Sequence, residues 1–207
     1  MQRLAKHQVG AHLNGEENVV DNPMQEILRE NPAIASVKDE AGVRSALRSE
    51  CKIVFLLYGS VLNISSIVQV LKKHGKMVFV DVDLLDGFAS KEIVVTYLKL
   101  HTTADGVLSS KAFMVKAAKE QGLLAIHRLF LIDSMSYQNA RKQIKISKAD
   151  CVEILPGCMP RVISWLLEDV TIPLIAGGLV CDKDDVVAAL KAGATAVASS
   201  NEGVWSM

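Results

Sequence analysis

Short apolar runs rich in β-branched residues recur along the chain, each followed by a turn and an amphipathic stretch. They centre near Ile34, Val54, Phe79, Val107, His127, Val152, Ile175 and Val197. Neighbouring centres stand roughly twenty to thirty residues apart, enough for a strand, a helix and two short loops. A short opening helix is expected after Asn22-Pro23, over "MQEILRE". The stretch "DKDDVVAALKAGA" has Asp182 at an N-cap position, acidic residues in its first turn, Lys191 in its last and Gly193 after it. "SSIVQVLKKHGK" likewise ends on lysines and Gly75. Runs apolar on both faces indicate parallel strands covered by helices. Eight of them predict a compact TIM-like (β/α)8 barrel over residues 23–207, with residues 1–22 as a flexible extension. A doubly wound open sheet is the alternative, but no G-x-G-x-x-G follows the first strand.

Composition narrows the class of function. The 207 residues are half apolar, and 23 basic side chains balance 23 acidic ones. A neutral chain is not a strongly basic nucleic-acid binder of the usual kind, although a local patch is compatible with it. Cys51, Cys151, Cys158 and Cys181 form no C-x-x-C pair and no zinc spacing. They read as reduced, packed thiols of a cytoplasmic protein. The start has no apolar leader, and the most apolar run, "IVFLLYGSVLNI", is too short to span a bilayer. No membrane association, metal or cofactor is expected.

Sites in such barrels lie at the C-terminal ends of the strands. The seventh strand ends in Gly177-Gly178, where missing side chains let a ligand approach the backbone. The eighth ends in Ser199-Ser200-Asn201, entering a short terminal helix whose free N–H groups suit an anion. Together these two ends predict a phosphate site. On the third strand Asp81 and Asp83 share a face directed to the barrel axis or its mouth, while Val78, Val80 and Val82 face the helices. His127 and Arg128 are adjacent and must point oppositely. Arg128 is expected inside, paired with Glu153 of the sixth strand, and His127 packed under the helices. Lys111 closes the fourth strand at the mouth, within reach of an anion, and is a further candidate RNA contact. Arg141, Lys142, Lys145 and Lys148 make the fifth inter-strand helix basic, with Arg141, Lys145 and Lys148 on one face. That face is the best candidate for nucleic-acid backbone contact. No Ser-His-Asp order, H-E-x-x-H, Walker loop or Schiff-base lysine is apparent.

Taken together, "VDLLDG", "HRLFLIDS", "VEILPG" and "IPLIAGGLVCDKDDVVAALKAGATAVASSN" make the chain resemble the glycerol-uptake operon antiterminator family from about Pro23 to Trp205. The resemblance implies a barrel that senses glycerol 3-phosphate and binds the leader of a glycerol-catabolism messenger RNA, preventing premature termination. By position, the family's motif residues fall on Asp83, Arg128, Asp133, Glu153, Pro156, Gly157, Gly177, Gly178, Ser200 and Asn201. Gly177, Gly178, Ser199, Ser200 and Asn201 would hold the phosphate. Asp83 and Glu153, with Arg128 and Asp81, would serve the glycerol hydroxyls. The chain departs from the family in carrying Asp81 where histidine tends to stand, His127 where glutamine is common and Lys111 where arginine is usual. An RNA footprint larger than one neutral barrel points to a homodimer. The rival reading is an enzyme acting on a small phosphorylated substrate, with Asp81, Asp83 or Glu153 as acid and base, or with a divalent metal between Asp81 and Asp83. A third is a barrel that only binds a protein partner.

Overall fold

Strands apolar on both sides need a hydrophobic layer on each, and a closed parallel barrel wrapped in helices supplies both. The computed structural model describes residues 22–206. Its elements run α1 (Pro23–Glu30), β1 (Ala33–Val37), α2 (Glu40–Arg48), β2 (Ile53–Leu56), α3 (Ile64–Lys73), β3 (Met77–Asp81), α4 (Ile93–His101), β4 (Gly106–Ser109) and α5 (Ala112–Glu120). They continue with β5 (Leu124–Phe130), α6 (Ser134–Ser147), β6 (Cys151–Leu155), α7 (Pro160–Leu167), β7 (Leu174–Gly177), α8 (Lys183–Lys191), β8 (Ala196–Ser199) and a 3-10 turn at Glu202–Val204. All neighbouring strands are parallel, and β8 closes on β1 through Ala35 opposite Ser199. The expected barrel is therefore present, with all eight strands where the apolar runs stand. Of the anticipated extension 1–22, residues 1–21 lie outside the described residues. Asn22 belongs to the fold: it caps α1 and donates from Nδ2 to the Asp150 carbonyl at 2.8 Å.

Alternation along each strand divides the core in two. Outward residues such as Val54, Val80, Val107 and Val152 meet the helices. Inward residues such as Ile34, Phe55, Phe79, Leu108, Ile126 and Ile175 fill the barrel. The opening helix seals this interior, since Met24 and Leu28 of α1 are fully buried within the inner cluster, packed against the strand interior. Several helices start on an aspartate that accepts the backbone N–H three residues on, in the first turn. Asp39 takes Gly42, Asp133 takes Ser136 and Asp182 takes Asp185. Cys51 and Cys151 are packed as expected, but Cys158 and Cys181 are exposed, because both sit on loops at the mouth. Among the described residues no helix is long and apolar enough to cross a membrane.

At the start of β4 one position must be glycine for reasons of space alone. A Cβ on Gly106 would lie 2.4 Å from the Leu124 carbonyl oxygen and 2.6 Å from the Phe79 ring. That ring needs the gap, because it packs edge-on against Phe55 with centroids 5.9 Å apart. Gly106→Ala is expected to cost about 1–3 kcal/mol by overpacking, lowering the thermal midpoint by roughly 2–12 °C. An unchanged melting curve would show that the interior has slack it does not display.

Candidate functional site

The upper end of the barrel interior is polar, and its centre is one guanidinium. Arg128 on β5 points inward and lies in register with Glu153 of β6. Its Nε donates to Glu153 Oε2 at 2.6 Å, and Nη1 donates to Asp81 Oδ2 from β3. The Arg128–Glu153 pair is as expected, but Asp81 as a second partner was not anticipated. The side chains of Asp81 and Glu153 are 1% and 3% exposed, and that of Arg128 is 11% exposed. Burial pushes both carboxyls above their ordinary range, with Arg128 pulling each back. A buried carboxylate is costly unless answered in this way. The second oxygen of Asp81 accepts the Asp83 N–H at 3.0 Å, so this carboxylate is fully occupied. Glu153 keeps Oε1 free of protein hydrogen bonds among the described residues. A Cβ on Gly177 would sit 2.3 Å from that oxygen. The space left by Gly177 is thus taken by Glu153 rather than offered to a ligand.

Asp83 turns to the β4–α5 connection instead of the axis. It accepts from the Ser110 N–H and Oγ at 2.7 Å each, from Ser109 Oγ at 3.0 Å and from Lys111 Nζ at 3.1 Å. Burial raises its pKa, but these donors outweigh burial and leave it lowered. Asp81 and Asp83 are therefore drawn to different partners and do not form a shared metal seat. Among the described residues no group of three His, Cys, Asp or Glu side chains could hold a metal. His127 packs outward as expected, 1% exposed, with Nδ1 3.0 Å from Ser147 Oγ and burial pushing its pKa down.

Above the ion cluster a cleft of about 290 Å³ opens toward β7, β8 and β1. Arg128 and Glu153 form its floor, Gly178–Cys181 and Ala198–Asn201 one side, and Ser36, Lys38 and Leu57 the other. Its volume is at the small end for ligand sites. Gly178 and Leu179 both have positive φ, 69° and 55°. For leucine that conformation costs about 1–2 kcal/mol, and it shapes the backbone at the cleft wall. Among the described residues, the N–H groups of Gly178, Leu179 and Ser200 have no protein acceptor. The expected serine and asparagine donors divide. Ser199 Oγ donates to the Val180 carbonyl at 2.6 Å, and Asn201 Nδ2 to the Cys181 carbonyl at 2.6 Å. These two side chains tie the β7–α8 loop to β8, which leaves the exposed Ser200 hydroxyl for the cleft. The terminal helix is a single 3-10 turn whose Gly203 N–H is already capped by Asn201 Oδ1, so it offers no helix N-terminus.

Lys38 and Ser36 were missed. Their signal is legible in retrospect: Ile34 and Ser36 alternate on the inward face of β1, as Phe79 and Asp81 do on β3, and Lys38 continues that spacing just past the end of β1. Among the described residues, Lys38 and Arg128 are the cleft's two cations. The other basic candidates lie elsewhere. Lys111 is held by Asp83 at the mouth. Arg141 pairs with Asp169 at 2.7 Å, while Lys142, Lys145 and Lys148 are exposed along α6. Lys148 lies about 20 Å from the start of that helix, toward the opposite end of the barrel.

A family model described as glycerol-3-phosphate responsive antiterminator matches residues 33–205. The uncharacterized protein YgcP of Escherichia coli (strain K12) is 50% identical over 185 residues, covering 89% of this chain and 97% of that protein. The glycerol uptake operon antiterminator regulatory protein of Listeria monocytogenes superposes with a TM-score of 0.81 at 29% identity, over 84% of this chain and 94% of its own. A glycerol uptake operon antiterminator-related protein of Thermotoga maritima does so with a TM-score of 0.76 at 30% identity, over 86% and 99%. A deoxyribose phosphate aldolase from Aeropyrum pernix, 16% identical with a TM-score of 0.65, shares the fold alone.

A lowered carboxyl pKa stabilises the folded state above the unfolded pKa, and that gain is lost as pH falls through the folded value. Asp83→Asn should therefore lower the thermal midpoint at pH 7, and its deficit against wild type should close below about pH 4. A deficit constant from pH 7 to pH 3 would show that the Asp83 charge contributes nothing.

Proposed function

This chain belongs to the glycerol-3-phosphate responsive antiterminator family, and on that premise we propose that its cleft is the effector site. The observation that carries the reading is the polarity of the cleft. One end has Lys38, the Ser200 hydroxyl and the N–H groups of Gly178, Leu179 and Ser200, all donors or positive. The floor has the free Oε1 of Glu153 beside an Arg128 whose charge is already answered. A phosphate dianion fits the first end through backbone and hydroxyl donors with one cation. Glycerol hydroxyls fit the floor, donating to Glu153 and accepting from Arg128. Asp83 is outside this set, and Gly177, Ser199 and Asn201 support it through the backbone and loop ties they make. No cofactor is needed.

The protein acts as a regulator on this reading, because its acid–base candidates are bound to internal partners: Asp81 and Glu153 to Arg128, and Asp83 to Ser110 and Lys111. Its place is the cytoplasm and its target a leader messenger RNA. The strip formed by Arg141, Lys145 and Lys148, with Lys142 beside it, is the RNA-contacting surface. Lys111, engaged by Asp83, is not part of it. A homodimer would double this strip, which on one barrel is only about 10 Å long from Arg141 to Lys148. Ligand can favour RNA binding only through different affinities for two states of the barrel.

Calorimetry with glycerol 3-phosphate tests the site. Wild type should bind saturably, and Ser200→Asp, which places a carboxylate at the phosphate end, should weaken binding at least 100-fold. Binding unaffected by Ser200→Asp would move the site elsewhere, and no binding at millimolar ligand would overturn the reading. For RNA, replacing Lys142, Lys145 and Lys148 by alanine should weaken binding and flatten the plot of log K against log salt. Each lost phosphate contact should reduce the slope by about 0.7. An unchanged slope would exclude this helix as the RNA surface.

A further inference from the structure

Arg128 is the natural group for a carboxylate ligand, since a guanidinium fork binds carboxylates bidentately. Here it faces two protein carboxylates, and the Asp81–Arg128–Glu153 cluster carries one more negative than positive charge. Asp81 does not line the cleft and has both oxygens occupied, by Arg128 Nη1 and the Asp83 N–H. Any effect it has on a ligand is exerted through Arg128.

We propose that Asp81 is a specificity-determining positioning residue: by neutralising Arg128 it restricts the cleft to phosphate esters whose other end is uncharged and hydroxyl-bearing, and excludes phosphorylated acids. The inference rests on the cleft being a phosphate-ester site and concerns what the opposite end accepts. With Asp81 present, a ligand carboxylate at the floor meets Glu153 Oε1 and a guanidinium whose charge two acids already outweigh. Without it, Arg128 and Glu153 form a neutral pair and Nη1 is released to bind an incoming carboxylate. Rejection here works by repulsion, the usual means of discriminating ligands of equal shape. The phosphate end, at Lys38 and Ser200, is untouched by the change.

Glycerol 3-phosphate and 3-phosphoglycerate are a matched pair of probes, because they differ at one terminus, a CH2OH replaced by a carboxylate. Both are titrated calorimetrically at pH 8 into wild type and Asp81→Asn, with thermal melts of each protein. Wild type should prefer glycerol 3-phosphate at least 100-fold. Asp81→Asn should shrink that ratio at least tenfold, mainly by tighter binding of 3-phosphoglycerate. A merely structural loss would weaken both ligands together and leave the ratio in place. Wild type binding both ligands within threefold overturns the proposal without reliance on any variant. So does a wild-type ratio retained in a folded Asp81→Asn. Failure of wild type to bind glycerol 3-phosphate is a distinct result, which overturns the effector reading and this proposal with it.

Discussion

A guanidinium enclosed by a barrel of apolar side chains persists only where its charge is answered on the spot. Much of the upper barrel follows from how Arg128 meets that condition. Glu153 stands beside it on the next strand, and Asp81 reaches it from β3 across β4. Gly177 must lack a side chain because the Glu153 carboxylate lies against its Cα. The Asp83 N–H completes Asp81, which directs the Asp83 side chain toward Ser110 and Lys111. The axis is thereby closed by an ion cluster, and the open volume is displaced toward β7, β8 and β1.

That displacement separates two chemistries by the depth of a small cleft. At the rim, Gly178 and Leu179 have positive φ, and among the described residues their N–H groups have no protein acceptor. Ser199 and Asn201 hold this loop by their side chains, and Trp205 adds a bond from Nε1 to the Ser199 carbonyl at 2.8 Å. The floor supplies an acceptor under a net negative charge. A molecule with a phosphate at one end and hydroxyls at the other suits this arrangement in a single orientation. The basic strip on α6 lies away from the mouth, so effector and RNA would act on separate surfaces joined by the β5–α6 segment that also carries Arg128.

The barrel was legible because strand period and helix period alternate eight times, and because the runs are nearly all apolar on both faces. Arg128 opposite Glu153 was legible too, since a charge in an apolar run demands a neighbour of opposite sign. Asp81 as the second partner was not: the pairing joins strands two apart, and pattern along one strand says nothing of reach across another. Asp83 and Asn201 were read as ligand groups because short polar side chains at strand ends look alike whether they cap a loop or face a cleft. Lys38 was passed over because a lysine after a strand is the commonest solvated residue. The closed ring, which sets β1 beside β8, is what brings it to the cleft.

Everything proposed for the cleft turns on one orientation, with the ligand's phosphate at the β7–β8–β1 rim and its hydroxyls on the ion cluster. A crystal structure of the protein with glycerol 3-phosphate would decide it. Phosphate oxygens are expected within hydrogen-bond distance of Ser200 and the Gly178–Leu179 backbone, with Lys38 closing over them and a hydroxyl on Glu153 Oε1. Phosphate seated on Arg128, with either carboxylate displaced from the guanidinium, would show that orientation to be wrong.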